Sequence, residues 1–207
     1  MQRVEHSFKA MGGPARLRLE VADAAVAEAA IAAAVADVER LEQTDCGYRS
    51  DSLTSTINAA AGSGNAVPID EETAGLLNYA DTVWRESGGL FDLTSGILRR
   101  AWDFRSGRLP TQAEIDSLLP LVGWDKVEWS GESVALPRAG MELDFGGCVK
   151  EYAADSAAAQ LRGHGVATAL VDLAGDMVAV GVPQDAEGWP VGIRHPDDRD
   201  NAIAGLS

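Results

Sequence analysis

Two glycine-rich turns carry the residues whose types and spacing could do chemistry. Gly146-Gly147 separates a predicted strand from a predicted helix, and Asp144 and Lys150 bracket the pair. Paired glycines let a ligand approach the backbone, and the free N–H groups at the start of a helix favour an anion. A tight connection without any ligand accounts for the same pattern, so both interpretations stay open.

The second turn is Gly88-Gly89-Leu90-Phe91-Asp92. Its glycines permit an unusual backbone path, Phe91 could face an aromatic ring, and the Asp92 carboxylate could accept hydrogen bonds. The alternative is a helix stop followed by a core phenylalanine, so this turn alone does not establish a binding site.

Helical periodicity and caps predict the elements that must position these turns. Helices begin after Asp23 and Asp70, and a capping box of Thr111 and Glu114 opens a third. A short helix is expected within residues 48–64 and a longer one over residues 148–162. The third helix carries a predicted buried stripe of Ile115, Leu118, Leu119 and Val122.

Alternating and β-branched runs predict strands elsewhere in the chain. These strands are Val4–Phe8 with Arg16–Val21, Lys126–Trp129 with Ser133–Leu136, Met141–Phe145, Val166–Leu173, Met177–Val182 and Trp189–Ile193. Helices come mainly first and strands mainly last, joined by short turns. This order favours an α+β fold with a mixed or antiparallel sheet packed with helices, in a single domain.

Composition excludes several classes of protein. The formal net charge is -15, from 17 basic and 32 acidic residues in a chain of 207, so a nucleic acid backbone would be repelled. No apolar run is long enough to span a membrane, and no signal peptide is visible, which predicts a cytoplasmic protein. Cys46 and Cys148 have no zinc-site or disulfide spacing.

Two long blocks resemble one family. Residues 88–98 read G-G-L-F-D-L-T-S-G-I-L and precede Trp102-Asp103-Phe104, and residues 143–155 read L-D-F-G-G-C-V-K-E-Y-A-A-D. Both are similar to motifs of the FAD:protein FMN transferases, the ApbE family. Weaker matches at residues 9–12, 48–58, 171–176 and 189–196 extend the resemblance over nearly the whole chain, so one transferase-like domain over residues 1–207 is expected.

The resemblance implies the fold of that family and a set of site residues. The residues that it implies for FAD contact are Met11, Tyr48, Leu90, Phe91, Asp92, Asp144 and Lys150. It also implies that the Gly147 carbonyl is a magnesium ligand. On physical grounds, the aspartates can hold polar edges of the flavin or adenine, and Lys150 can meet phosphate oxygens.

The activity implied by the resemblance is magnesium-dependent transfer of FMN from FAD to a Thr or Ser of a target flavoprotein, with release of AMP. The implied acceptor is a flavin subunit of a redox complex. Two alternatives use the same pocket: a module that binds FAD without transferring it, and a magnesium-dependent FAD pyrophosphatase. Family relatives are often exported or membrane-anchored, unlike the cytoplasmic location that the visible sequence predicts.

The chain also departs from the family pattern. No block matches the C-terminal motifs that complete the metal site, so a domain incomplete at its C-terminus, and inactive or very weak alone, is expected. Glu151 and Ala174 stand where the family has glycine, and Glu151 adds negative charge near the expected phosphates.

Overall fold

A computed structural model describes residues 1–45, 51–103, 106–198 and 201–206. The chain divides into two compact units: Met1–Arg40 with Lys150–Ser207 form unit 1, and Leu41–Val149 form unit 2. The helices are α1 (Ala24–Asp45), α2 (Leu53–Ala59), α3 (Glu71–Glu86), α4 (Gln112–Leu118) and α5 (Val149–Gly163). The strands are β1 (Gln2–Ala10), β2 (Gly13–Val21), β3 (Val67–Pro68), β4 (Glu128–Trp129), β5 (Ser133–Ala135), β6 (Thr168–Leu173), β7 (Asp176–Val180), β8 (Val191–Arg194) and β9 (Ala202–Leu206).

Unit 1 contains an antiparallel sheet in the order β1-β2-β6-β7 and a separate ribbon of β8 and β9. In the ribbon, Ile193, Ile203 and Leu206 are exposed. Most of α1 and α5 belongs to this unit, and small side chains dominate their buried positions. Ala30 and Ala34 on α1 and Ala153, Ala157 and Ala158 on α5 are fully buried. The antiparallel sheets and helices confirm the predicted α+β class; one domain over residues 1–207 stays a prediction.

Two tight hairpin turns lie side by side in unit 1. Met11 and Gly12 connect β1 to β2 with φ of 50° and 77°, and Ala174 and Gly175 connect β6 to β7 with φ of 55° and 108°. Two successive residues with positive φ suit the twist of a hairpin, but that backbone is strained for Met11 and Ala174. A Cβ added to Gly13 would lie 2.6 Å from the Cβ of Ala174. The glycine therefore allows the two turns to approach closely.

Unit 2 holds α2, α3, α4, the β3-β5-β4 sheet and four short 3₁₀ helices, at residues 93–100, 119–121, 124–126 and 145–147. Its core combines Leu76 and Leu77 of α3 with Trp124, Met141 and Phe145. The predicted cap at Asp70 forms, since its carboxylate accepts the N–H of Thr73. The expected short helix has a cap that was not predicted, because the Ser52 hydroxyl accepts the N–H of Ser55. The core therefore combines residues that precede the Gly88–Asp92 turn with residues that follow it.

Two expectations for unit 2 are wrong. Residues 141–144 form no strand, because their backbone is bound by the Asn58 side chain and by Leu93 rather than by a neighbouring strand. The predicted stripe of the third helix is not buried either. The helix ends at Leu118, its residues lie at the surface or are half-buried, and Leu119 is 46% exposed. Its capping box forms as predicted, whereas the two-residue strand β3 was not foreseen.

Asn58 fixes the extended segment that leads to the Gly146-Gly147 turn. Its Nδ2 donates to the Leu143 carbonyl at 3.0 Å, and the Leu143 N–H donates to its Oδ1 at 2.7 Å. Asn58→Ala leaves two backbone groups of a residue only 1% exposed without these partners. We expect a cost of about 1–3 kcal/mol for each group, measured by urea unfolding. Asn78→Ala, on the exposed side of α3, is the control, and an equal loss in both variants would contradict the assignment.

Glu114 gives unit 2 a pH-dependent contact. Hydrogen bonds from Arg108 and from the backbone and hydroxyl of Thr111 lower the pKa of the Glu114 carboxyl to about 2. Because the folded pKa lies below the unfolded value of about 4.3, the stabilisation is present above that value and is lost as the pH falls through about 2. Arg108→Gln is expected to raise the pKa in an NMR titration. An unchanged pKa would show that Arg108 does not act on Glu114.

Candidate functional site

Both glycine-rich turns line a single cleft in unit 2. The cleft has a volume of about 300 Å³ and is lined by Leu90, Phe91, Asp92, Leu93, Ser95, Gly96, Asp144, Gly146 and Gly147. Two segments about fifty positions apart thus meet, as the resemblance requires. Ser95 and Gly96 were missed as lining residues, although they lie in the quoted block G-G-L-F-D-L-T-S-G-I-L.

Asp92 organises one wall of the cleft. Its Oδ1 accepts the N–H and the hydroxyl of Thr94 at 2.7 and 2.6 Å, and its Oδ2 accepts the N–H of Trp124 at 2.9 Å. The Thr94 hydroxyl oxygen in turn accepts the Gly123 N–H at 2.7 Å. A carboxylate offers about four acceptor positions. The described residues use three of them, which leaves one for a ligand.

Asp144 joins the two turns from the other side. Its N–H donates to the Leu93 carbonyl at 2.9 Å, and its Oδ1 accepts the Gly146 N–H at 2.8 Å. The side chain is half-buried and lies against Gly96, where an added Cβ would come within 2.3 Å of the Asp144 Cβ. The absence of a side chain at Gly96 therefore allows the Asp144 side chain to lie this close to the helix.

Phe91 and Leu90 form the apolar part of the cleft. The Phe91 ring packs partly on the core of unit 2 and lies beside Gly147, where an added Cβ would be 3.1 Å from the ring. Leu90 is 91% exposed. A half-exposed ring beside an exposed leucine suits the flat face of an aromatic ligand, whereas the buried Phe145 is a core residue.

A buried carboxylate ties the helical wall to the extended segment. Glu142 is 7% exposed and forms ion pairs with Arg99 and Arg100, at the end of the 3₁₀ helix over residues 93–100. Two guanidinium groups on one carboxylate compensate its burial. The sequence pattern gave no sign of this cluster, because Glu142 is 42 positions from Arg100 and only the tertiary fold brings it to the arginine pair.

The other predicted site residues divide between unit 1 and the undescribed part of the chain. Met11 lies in the β1–β2 turn, half-buried, with φ of 50°. Lys150 lies in the first turn of α5 and pairs with Asp176, whose Oδ2 is 2.8 Å from Nζ. Tyr48 lies outside the described residues, so the structure does not report its position.

Within the described ranges, no three His, Cys, Asp or Glu side chains are grouped so that they could hold a metal ion. The Gly147 backbone nevertheless lies in the cleft beside Asp144. Its carbonyl is an oxygen donor of the kind that magnesium prefers. The cleft thus offers the oxygen donors that magnesium prefers, but its described residues supply fewer ligands than the six that magnesium takes.

Gly96→Ala tests the close approach that shapes the cleft. The new methyl group would overlap Asp144, so we expect a loss of about 1–3 kcal/mol in unfolding free energy from overpacking. Gly75→Ala is the matched control, since Gly75 is exposed within α3 with open space around it; it should gain about 0.5–1 kcal/mol. Equal stability of the two variants would show that Gly96 tolerates a side chain.

Comparison with known proteins identifies relatives along most of the chain. It is 32% identical over 166 residues to the FAD:protein FMN transferase of Treponema pallidum (strain Nichols), covering 72% of this chain and 45% of the relative. It is 29% identical over 204 residues to a FAD:protein FMN transferase of Klebsiella pneumoniae (strain 342), covering 97% and 61%. The chain therefore spans about half the length of these curated relatives.

Solved structures show the same fold. The ApbE protein of Thermotoga maritima aligns with a TM-score of 0.84 at 24% identity, covering 99% of this chain and 67% of that one. The apo form of the Pseudomonas stutzeri flavinyl transferase ApbE aligns with a TM-score of 0.83 at 25% identity, covering 96% and 64%. The model of the ApbE family matches residues 11–207. On these matches and the two motif blocks that build the cleft, the chain belongs to the ApbE family.

Proposed function

We propose that this chain provides the FAD-binding part of a magnesium-dependent FAD:protein FMN transferase. The observation that carries the proposal is the cleft of unit 2, where the two motif blocks place an aromatic ring, two aspartates and three glycines around one volume. The names of the relatives support flavin transfer as the reaction class.

Different residues of the cleft contact different parts of FAD in this proposal. Phe91 and Leu90 offer an apolar face to a flat ring, and the free acceptor positions of Asp92 and Asp144 take N–H or O–H groups of the ligand. In unit 1, Met11 and Lys150 are the proposed further contacts, with the Lys150 ammonium meeting a phosphate oxygen. Tyr48 completes the set carried by the family motifs.

The proposed reaction is a phosphoryl transfer. The hydroxyl of an acceptor Thr or Ser attacks the phosphorus of the FMN half and gives its proton to a base. The bond from that phosphorus to the bridging oxygen breaks, and AMP leaves with the bonding electrons. This chemistry depends mainly on positioning and on charge neutralisation. The proposed acceptor is a flavin-carrying subunit of a redox complex.

Magnesium is the proposed metal, with the Gly147 carbonyl as its ligand from the described residues. Magnesium prefers six oxygen ligands and commonly takes several from water and from substrate phosphates. Bound there, it would neutralise charge on the pyrophosphate. This neutralisation matters here because the chain carries a net charge of -15, which opposes the approach of an anion.

The decisive experiment separates binding from transfer. The 207-residue chain, and any longer product of its gene, are incubated with FAD, magnesium and candidate acceptor proteins. We expect the chain to retain FAD in equilibrium dialysis. Transfer would appear as release of AMP and as an increase in the mass of the acceptor by one FMN phosphoryl unit. Free FMN and AMP without an acceptor would instead indicate a pyrophosphatase, and retained FAD without AMP a binding module. Failure to retain FAD would overturn the proposal.

Phe91→Leu tests the role of the cleft directly. Leucine keeps an apolar side chain against the core but removes the ring, so FAD affinity should fall about 2- to 12-fold, as expected for one lost aromatic contact. Tyr79→Leu, which removes an aromatic ring that is 56% exposed on α3, is the control and should bind FAD normally. Equal affinity of both variants would place FAD elsewhere.

A further inference from the structure

An ion pair in unit 1 joins Lys150 to Asp176, a residue outside the set that the family motifs imply for FAD contact. Asp176, the first residue of β7, accepts from Lys150 with an Nζ–Oδ2 distance of 2.8 Å. The two side chains are 29% and 31% exposed, so neither is fully solvated. The pair joins the first turn of α5 to the β6–β7 hairpin.

The position of Lys150 makes a partner physically useful. A cation in the first turn of a helix lies at the positive end of the helix dipole, which is unfavourable. Its four-carbon stem is flexible, and ordering it costs conformational entropy. The Asp176 carboxylate offsets the unfavourable charge and holds the ammonium in one place.

Asp176 is itself held by a well-defined element. It pairs with Leu173 across the β6–β7 hairpin. The turn between them is closed by Asp172, whose Oδ1 accepts the Gly175 N–H at 2.9 Å. β6 pairs in turn with β2. The carboxylate therefore projects from a strand end within a four-stranded sheet rather than from a loose loop.

We propose that Asp176 is a positioning residue that holds the Lys150 ammonium for a phosphate oxygen of FAD. An ammonium has three donors, so one can go to Asp176 while the other two are presented to the ligand. The inference rests on the proposed function, because it takes FAD as the ligand of Lys150. Its effect is preorganisation: the stem is ordered before the phosphate arrives.

The direction of the effect separates this role from simple repulsion. If Asp176 only opposed an anionic ligand or competed with it for Lys150, Asp176→Asn would strengthen FAD binding. If it positions the ammonium, the same substitution weakens binding by the cost of ordering one long side chain, about 2- to 12-fold. Asp176→Glu keeps the charge and should restore most of the affinity.

The test is a double-mutant cycle on FAD affinity, measured by equilibrium dialysis with the wild-type chain, Asp176→Asn, Lys150→Met and the double variant. We expect Asp176→Asn to weaken binding in the wild-type background and to change nothing in Lys150→Met. Asp172→Asn is the matched control, since it removes one negative charge from the same hairpin while its amide oxygen can still accept from Gly175.

Each outcome has a defined meaning. Failure of the wild-type chain to retain FAD overturns the proposed function itself. Wild-type retention with unchanged or tighter binding in Asp176→Asn overturns the positioning role alone. Equal weakening in Asp176→Asn and Asp172→Asn, or weakening that persists without Lys150, shows a general effect of the hairpin and also overturns it. Melting temperatures measured for all variants test whether loss of the fold causes any weaker FAD binding.

Discussion

The candidate site depends on the attachment of one extended segment to one 3₁₀ helix. Residues 141–147 have no strand partner, yet they are fixed at three successive positions. The Glu142 carboxylate forms ion pairs with Arg99 and Arg100. The Asn58 side chain binds both the N–H and the carbonyl of Leu143. The Asp144 N–H donates to the Leu93 carbonyl. The contact at Gly96 then brings the two backbones close enough to form the cleft.

This attachment also explains why a segment outside any sheet is buried. Buried backbone groups need partners, and a sheet is only one way to supply them. Here a side-chain amide and a 3₁₀ carbonyl supply them instead. Met141, Leu143 and Phe145 still alternate toward the core in the manner of a strand, each with 1% exposure or less, while the residues between them face the cleft or the arginines.

The sequence predicted the fold class, the caps at Asp23, Asp70 and Thr111, and most strands, because these are local features. It also predicted that the two glycine-rich turns share a cleft, but only through the resemblance of their motifs. The segment 141–145 was misassigned because alternation cannot distinguish a strand from an extended segment bound by side chains. The Glu142 cluster and the Lys150–Asp176 pair were not foreseeable, since they join residues that only the tertiary fold brings together.

The β8–β9 ribbon has a consequence for the behaviour of the purified chain. In the described part of the molecule its two strands pair only with each other, and Ile193, Ile203 and Leu206 are 45%, 59% and 63% exposed. Exposed strand edges with apolar side chains favour association with other copies of the chain. Electrostatic repulsion between copies, each with a net charge of -15, opposes that association. High ionic strength screens the repulsion without weakening the apolar attraction. We therefore expect the purified chain to resist aggregation best at low ionic strength. High protein concentration together with added salt favours precipitation.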